Sequence, residues 1–583
     1  MIQSHRSALR WMALVALLTT DAAVSGAEPA SKPFDVVIRD ATVYDGSGHV
    51  PYRGDLAIRG DRIVYVGPHA PGTGREEVRA DGKAIAPGFV NMLAHPEVSL
   101  LVDARAPSDL KQGVTLEVIG EDSMGPISPE MRASELKRQT DIKYDIDWTT
   151  LGGYLDRLAK RGIAPNVASY VGAGTVRVNV LGERDVQPTP EELAKMRTLV
   201  REAMEQGAMG VTTALIYAHN AYAKTPELIA LASESARCGG IYSAHMRSEG
   251  DCLLEAIDET VEIARASGAP AEIFHFKVTP QKNWGMLDRA IARVEAARAA
   301  GTRITADMYV YPAGATGFDA AMPPWVKDGG LEAWIERLKD PAIRARVLAE
   351  MRDPKPDWEN LAAGAGPAGT LLLGFGNPKL KPLTGKTLAD VAATRGTSPE
   401  DTIIDLVIED GTRVEVAYFL MSEDNIRREV ALPWMSFDSD AEASAPEGVF
   451  LLSSTHPRAY GNFARVLAKY VRKEHALTLE AAIHQLSALP ASVLSIPDRG
   501  LLKAGNYADV VLFDPKAVQD HATFDKPMQF ATGVDTVWVN GVAALRKGEF
   551  TGAPSGRIVR GRAWTGHRGG GCRASSRDWT WSP

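Results

Sequence analysis

Residues 34–88 alternate apolar and polar positions over short runs, as in "FDVVIRDATVYDGSG" and "GDLAIRGDRIVYVGP". The turn pairs Asp45-Gly46, Arg59-Gly60 and Gly67-Pro68 separate the runs. Period-two alternation between turn signals predicts a small β unit. The same texture returns in "GNYADVVLFDP" (505–515) and "VDTVWVNGVAALRKGEF" (534–550). Two short-strand segments at opposite ends of a long chain are expected to pair into one domain. Residues 28–88 and 498–560 form its halves, with the main domain inserted between.

Residues 89–497 follow a different rhythm. Continuous apolar runs alternate with amphipathic helical stretches. The strand candidates are "VTLEVIG" (114–120), "PNVASYVG" (165–172), "AMGVTTAL" (208–215), "GIYSAHMR" (240–247), "AEIFHFKV" (271–278), "RITADMYVY" (303–311) and "LPWMSFDSD" (432–440). Helices such as "TPEELAKMRTLVREAMEQG" (189–207) and "LLEAIDETVEIARASG" (253–268) separate them. Strand–helix alternation predicts a parallel α/β sheet, and about eight repeats predict a (β/α)8 TIM-like barrel. Residues 323–430, with "PPWVKDGG" and "DPKPDW", exceed what one repeat needs and read as an insertion that could cover the site.

The two termini depart from globular patterning. Arg6 and Arg10 precede the apolar "WMALVALL" (11–18), and "VSGA" (24–27) ends in small residues. This is the pattern of a secretory signal peptide over 1–27, too short in its apolar core to span a bilayer stably. It predicts a secreted or periplasmic protein with no stable membrane span in the mature chain. From 561 to 583 the chain becomes rich in Gly, Arg and Ser without periodicity, which predicts a disordered tail.

The 583-residue length requires more than one structural unit, and the formal charge of −8 disfavours nucleic acid as a partner. Cys238, Cys252 and Cys572 are an odd number with no CxxC spacing, so neither a disulfide framework nor a thiolate metal cluster is expected. Cys238 and Cys252 read as small buried hydrophobes.

Chemistry in such a barrel sits at the C-terminal ends of the strands. His245 closes "GIYSAHMR", and His275 follows thirty residues later in "AEIFHF", one β/α repeat on. Glu121 and Asp122 follow "VTLEVIG", Asp440 closes "PWMSFDSD", and His95 follows the first strand, "APGFVNMLAHPEVS" (86–99). Histidine nitrogens and carboxylate oxygens at strand ends suit zinc, which lowers the pKa of water to about 7. His245, His275 and one acid of the Glu121-Asp122 pair are the expected ligands. Asp440 is the expected general base, and His95 adds a sixth residue with metal-ligand chemistry at a strand end.

These stretches resemble the amidohydrolase superfamily, and within it the N-acyl-D-amino-acid deacylase (D-aminoacylase) family. The likeness covers nearly all of residues 34–560, in "IAPGFVNML", "QGVTLEVIGE", "SAHMRSEGDCLLEAIDE", "FHFK", "FDSDAEA", "HPRAYGNFARVLAKYVR" and "DRGLLKAGNYADVVLFDP". It implies a (β/α)8 barrel with a small β-sandwich built from both chain ends, zinc, and hydrolysis of an amide. His245 and His275 match the family's metal histidines, and Asp440 its catalytic aspartate. Lys277, Tyr309 and Arg458 match positions that hold the substrate's carboxylate and amide. Arg247 and Tyr217 join them as substrate-binding candidates.

Three departures accompany the likeness. Leu93 stands where the family has the first histidine of a His-x-His pair. Asp122 stands in the place of a cysteine ligand. Ala315 replaces a serine near the substrate. The expectation is therefore one good zinc site, a degraded second site, and a small-molecule substrate that is a linear N-acyl amide, most simply an N-acyl (D-)amino acid. A bulkier aromatic or xenobiotic amide is admitted if Met92, Leu93 and the insertion form an apolar pocket. Hydrolysis of a cyclic amide and a catalytically inactive scaffold are the rival readings. Oligomeric state is not encoded in these patterns.

Overall fold

The computed structural model describes residues 33–355, 358–566 and 570–572. The expected signal peptide over 1–27 lies outside them. Strands from both ends of the chain share one nine-stranded sheet. Val510–Phe513 joins the halves by pairing antiparallel with Ala84–Pro87, in the register Val510↔Pro87 to Phe513↔Ala84. Alternation along Phe34–Val43 sends Val36 and Ile38 into one apolar layer and Val37 into another on the opposite face.

The parallel strands that follow are buried at every position, as expected for strands covered on both faces. Phe89–Ala94, Val114–Ile119 and Asn166–Ser169 form a three-stranded sheet. A six-stranded sheet continues through Val171–Gly172, Gly210–Ala214, Ile241–His245, Ala271–Ile273, Ile304–Met308 and Met435–Phe437. The chain just past the last strand returns to the first, where the Asp440 N–H donates to the Leu93 carbonyl at 3.0 Å.

Helices pack outside these strands for local reasons. In Pro190–Glu205, Thr189 and Glu192 form a reciprocal cap, and Met196, Val200, Ala203 and Met204 supply one buried stripe. Between Ile304–Met308 and Met435–Phe437 lies the expected insertion. It holds the helices Gly330–Lys339 and Pro341–Arg352, and the strands Thr370–Gly374 and Glu415–Phe419; Glu415–Phe419 is central, pairing antiparallel with Thr370–Gly374 on one side and with Ala313–Gly317 on the other.

Two sequence expectations are corrected near the C-terminus. Cys238 and Cys572 form a disulfide, in which Cys252 takes no part. The partners lie 334 residues apart, so spacing could not reveal them. Nor does packing stop at residue 561. Arg560 bonds to Asp156 and to the Gln206 carbonyl, the Gly561 N–H donates to the Gly207 carbonyl, and Ala563 is buried. The rest of the expected tail, 567–569 and 573–583, lies outside the described residues. No described helix is long and apolar enough to cross a membrane.

The disulfide makes a direct prediction for protein recovered from an oxidising compartment. Thiol titration of the denatured, unreduced chain finds one reactive cysteine, and reduction raises the count to the three in the sequence. Three thiols before reduction would show that the bond does not form.

Candidate active site

His245 ends its strand, while His275 lies two residues beyond Ala271–Ile273. The backbone at His275 is left-handed, with φ +37°, and its N–H donates to Asp307 Oδ1 at 2.5 Å. Glu121 follows Val114–Ile119 across Gly120. Three donor atoms meet here. Glu121 Oε1 is 2.8 Å from His245 Nδ1 and 3.1 Å from His275 Nε2, with the imidazole centroids 4.4 Å apart. Burial alone would raise the Glu121 pKa, but the two imidazoles hold it below the ordinary carboxylate range. Two histidines and a carboxylate, whose donor atoms lie within 4.8 Å of one another, are a donor set that suits a catalytic zinc. His245 Nε2 is buried without a hydrogen-bond partner and faces Glu249 Oε1 at 3.9 Å.

Of Glu121 and Asp122, Glu121 is the acid that lies beside the two histidines. Asp122 turns away, its carboxylate 3.5 Å from His219 Nε2 and 3.4 Å from Thr175 Oγ1. There it lies against the start of the helix Ala173–Leu181, where a Cβ on Gly174 would stand 2.7 Å from Asp122 Oδ1.

Glu249 was not singled out by sequence reasoning, although it sits four residues after His245 in "AHMRSEGD". Its Oε1 is 3.0 Å from His275 Nδ1 and 2.5 Å from Lys277 Nζ. Burial opposes its charge, but Lys277 and the two histidines keep it ionised. A carboxylate on the far nitrogen of a metal-binding histidine fixes the ring and its tautomer. The opposing pulls on His275 leave its pKa raised to about 9: burial and Lys277 lower it, while Glu249 and Glu121 raise it by more.

Across the cavity, His95 Nε2 lies 3.1 Å from Asp440 Oδ1, and Arg458 Nη1 lies 2.8 Å from Asp440 Oδ2. Burial would raise the Asp440 pKa, but Arg458, with His95 and His275, holds it well below the carboxylate range. Asn91 fixes the approach, accepting from the Ser439 N–H at 2.8 Å. The Tyr309 ring lies 4.4 Å from the Arg458 guanidinium and 5.4 Å from Lys277 Nζ.

These groups line one cavity of about 680 Å³. His95, Glu121, Asp122, Tyr217, His245, His275, Lys277, Tyr309, Asp440 and Arg458 all face it, and Ala315 borders it. Arg247 does not line it. Its guanidinium is spent on Glu259 at 2.9 Å and on the carbonyls of Ala221 and Ala223, so it braces a loop. Met92 and Leu93 do not line it either, because both side chains are fully buried in the core with Tyr170 and Phe274. The apolar wall comes instead from the insertion, through Leu361, Leu373, Leu420 and Met421. Arg413, also missed, lies 5.3 Å over the Tyr217 ring.

Comparison with known proteins agrees with this geometry. A model described as "Amidohydrolase family" matches residues 443–544. A D-aminoacylase from Alcaligenes xylosoxydans xylosoxydans is 32% identical over 91% of this chain and 98% of its own length. A solved D-aminoacylase structure, described by one-metal activation and second-metal attenuation of its binuclear metal center, is 30% identical, with TM-score 0.75 over 90% of this chain and 99% of that one. The N-acyl-D-glutamate deacylase of Bordetella bronchiseptica, solved with zinc and a phosphonate inhibitor, is 27% identical, with TM-score 0.75 over 91% and 100%. The chain belongs to the D-aminoacylase family of metal-dependent amidohydrolases.

Proposed function

We propose that the protein is an exported, zinc-dependent deacylase of N-acyl-D-amino acids with a single working metal. The observation that carries this reading is the convergence of Glu121, His245 and His275 beside the Asp440–Arg458 pair in one cavity. Those three residues would hold the ion. When bound, zinc polarises an amide carbonyl and lowers the pKa of water to about 7.

The chain's own groups do the rest. Asp440, kept ionised by Arg458, accepts the proton that water loses as it attacks the carbonyl carbon. The same carboxyl group then gives that proton to the amide nitrogen as the C–N bond breaks, releasing a carboxylic acid and a free amine. Arg458, Tyr309 and Lys277 face the space where an amino acid's carboxylate would lie. A guanidinium and an ammonium are suited to that anion. Glu249 holds Lys277 and His275 in register on that side.

A single ion follows from Leu93. With that side chain in the core, the second position retains only His95 and Asp440, and Asp440 is already paired with Arg458. One-metal activation in the related D-aminoacylase supports the same reading. Export is supported by the N-terminal pattern and by the Cys238–Cys572 bond, since disulfides persist in oxidising compartments.

Elemental analysis of the purified protein is expected to find about one zinc per chain. Glu121→Gln and His275→Ala should lose it, and Asp122→Asn should keep it. Metal retained in Glu121→Gln and lost in Asp122→Asn would reverse the ligand assignment.

Turnover separates the roles. Against a panel of N-acetyl amino acids, the enzyme should act on D-isomers, and metal depletion should abolish activity. Asp440→Asn should keep the metal and lower kcat by about a hundredfold or more. Normal turnover in that variant removes Asp440 as the proton carrier, and hydrolysis confined to cyclic amides removes the deacylase reading.

A further inference from the structure

A second cavity, of about 450 Å³, adjoins the first. Ala218, His219, Asp319, Arg413 and Ser453 line both, so the two form one continuous cleft. Tyr217 and Arg413 stand at the junction, and Tyr309 and Arg458 belong to the first cavity alone. Tyr309, beside Arg458, is 6.3 Å from His275. Tyr217 is 5.4 Å from His245 and 5.3 Å from the Arg413 guanidinium. An acyl group that leaves the Glu121, His245 and His275 site past Tyr217 and Arg413 enters the second cavity.

That cavity has apolar walls and one undercompensated cation. Leu331, Trp334 and Phe375 supply the walls. Lys327 lines it although only 5% exposed, and its Nζ donates to the Asp319 carbonyl at 2.6 Å. Among the described residues no carboxylate forms an ion pair with Lys327. The neighbouring cations are matched: Arg138 bonds to Glu183 at 2.9 Å, and Arg413 faces Asp319 at 3.2 Å. The remaining acids of the lining, Glu135 and Glu415, are exposed to water. An ammonium has three donors, and burying it on one neutral acceptor is costly. Burial pushes the Lys327 pKa down to about 8, against the smaller pull of Asp319. An anion delivered by a substrate would relieve that cost.

We propose that the second cavity is an acyl subsite that takes an extended N-acyl group ending in a carboxylate, bound by Lys327. The proposal rests on the deacylase reading and specifies its substrate class: N-(ω-carboxyacyl) amino acids, in which one acid of a dicarboxylate forms the amide and the other stays free.

The test uses the metal-loaded enzyme at neutral pH and three amides of one D-amino acid: acetyl, octanoyl and suberoyl. The suberoyl amide should have the highest kcat/KM. Lys327→Met should lower that value by about tenfold, the loss of one charged hydrogen bond, and leave the acetyl amide unchanged. The unchanged acetyl rate shows that the variant folds, and Lys327→Arg should recover most of the suberoyl rate. An unaltered suberoyl-to-octanoyl ratio in Lys327→Met overturns the proposal. So does a selective loss on N-acetyl-D-glutamate, which would assign the cavity to the amino-acid side chain. Calorimetry with free suberate separates this proposal from the reading beneath it. Suberate binding that Lys327→Met abolishes supports the subsite even if none of the amides is hydrolysed. Absence of binding to the unsubstituted enzyme overturns it.

Discussion

Glu121 places one buried carboxylate oxygen between two imidazoles from successive strands. The arrangement of the site depends on that contact. A buried carboxylate is costly unless opposite charge or strong donors surround it. The two rings can surround it only if the ends of their strands stay in register. Parallel pairing of Ile241–His245 with Ala271–Ile273 supplies the register, with Ala244 opposite Ile273. The Asp307 carboxylate then takes the His275 N–H where the chain leaves the sheet. The site is thus set by backbone pairing first and by side-chain bonds second.

The same logic extends outward. Glu249 touches His275 and Lys277, and its own backbone is clamped by the insertion. Glu359 Oε1 accepts from Ser248 Oγ at 2.5 Å, from the Glu249 N–H at 2.8 Å and from the Gly250 N–H at 2.6 Å. The insertion is therefore more than a cover. It holds the loop that carries the Glu249 carboxylate behind His275, and so ties the shape of the cleft wall to the orientation of that ring. On the opposite side Asn91 does the corresponding work for Asp440, through Ser439.

Much of this was legible in the sequence, and the reasons for the rest are physical. Strand-end histidines were readable because a β/α repeat returns the chain to the same rim, which brought His245 and His275 together. Asp440 and His95 met for the same reason. The choice between Glu121 and Asp122 was not readable. Adjacent residues in a turn point apart, and which faces the metal depends on backbone torsions that residue types do not specify. Arg247 misled because a cation in a motif is equally suited to bracing a loop. Glu249 and Arg413 lie off the C-terminal ends of the strands, in loops that strand periodicity does not mark. Leu93 was correctly noticed, but its side chain points into the core rather than into the cavity.

The charge that compensates Asp440 is Arg458, 2.8 Å away and buried. A guanidinium keeps its charge at any working pH, so it holds Asp440 ionised with or without a second ion. Removing one partner of such a pair costs about 3–5 kcal/mol, because the other charge is left buried and alone. Asp440 is thus tied to the protein's own cation, and that cation lines the same cavity as Glu121, His245 and His275.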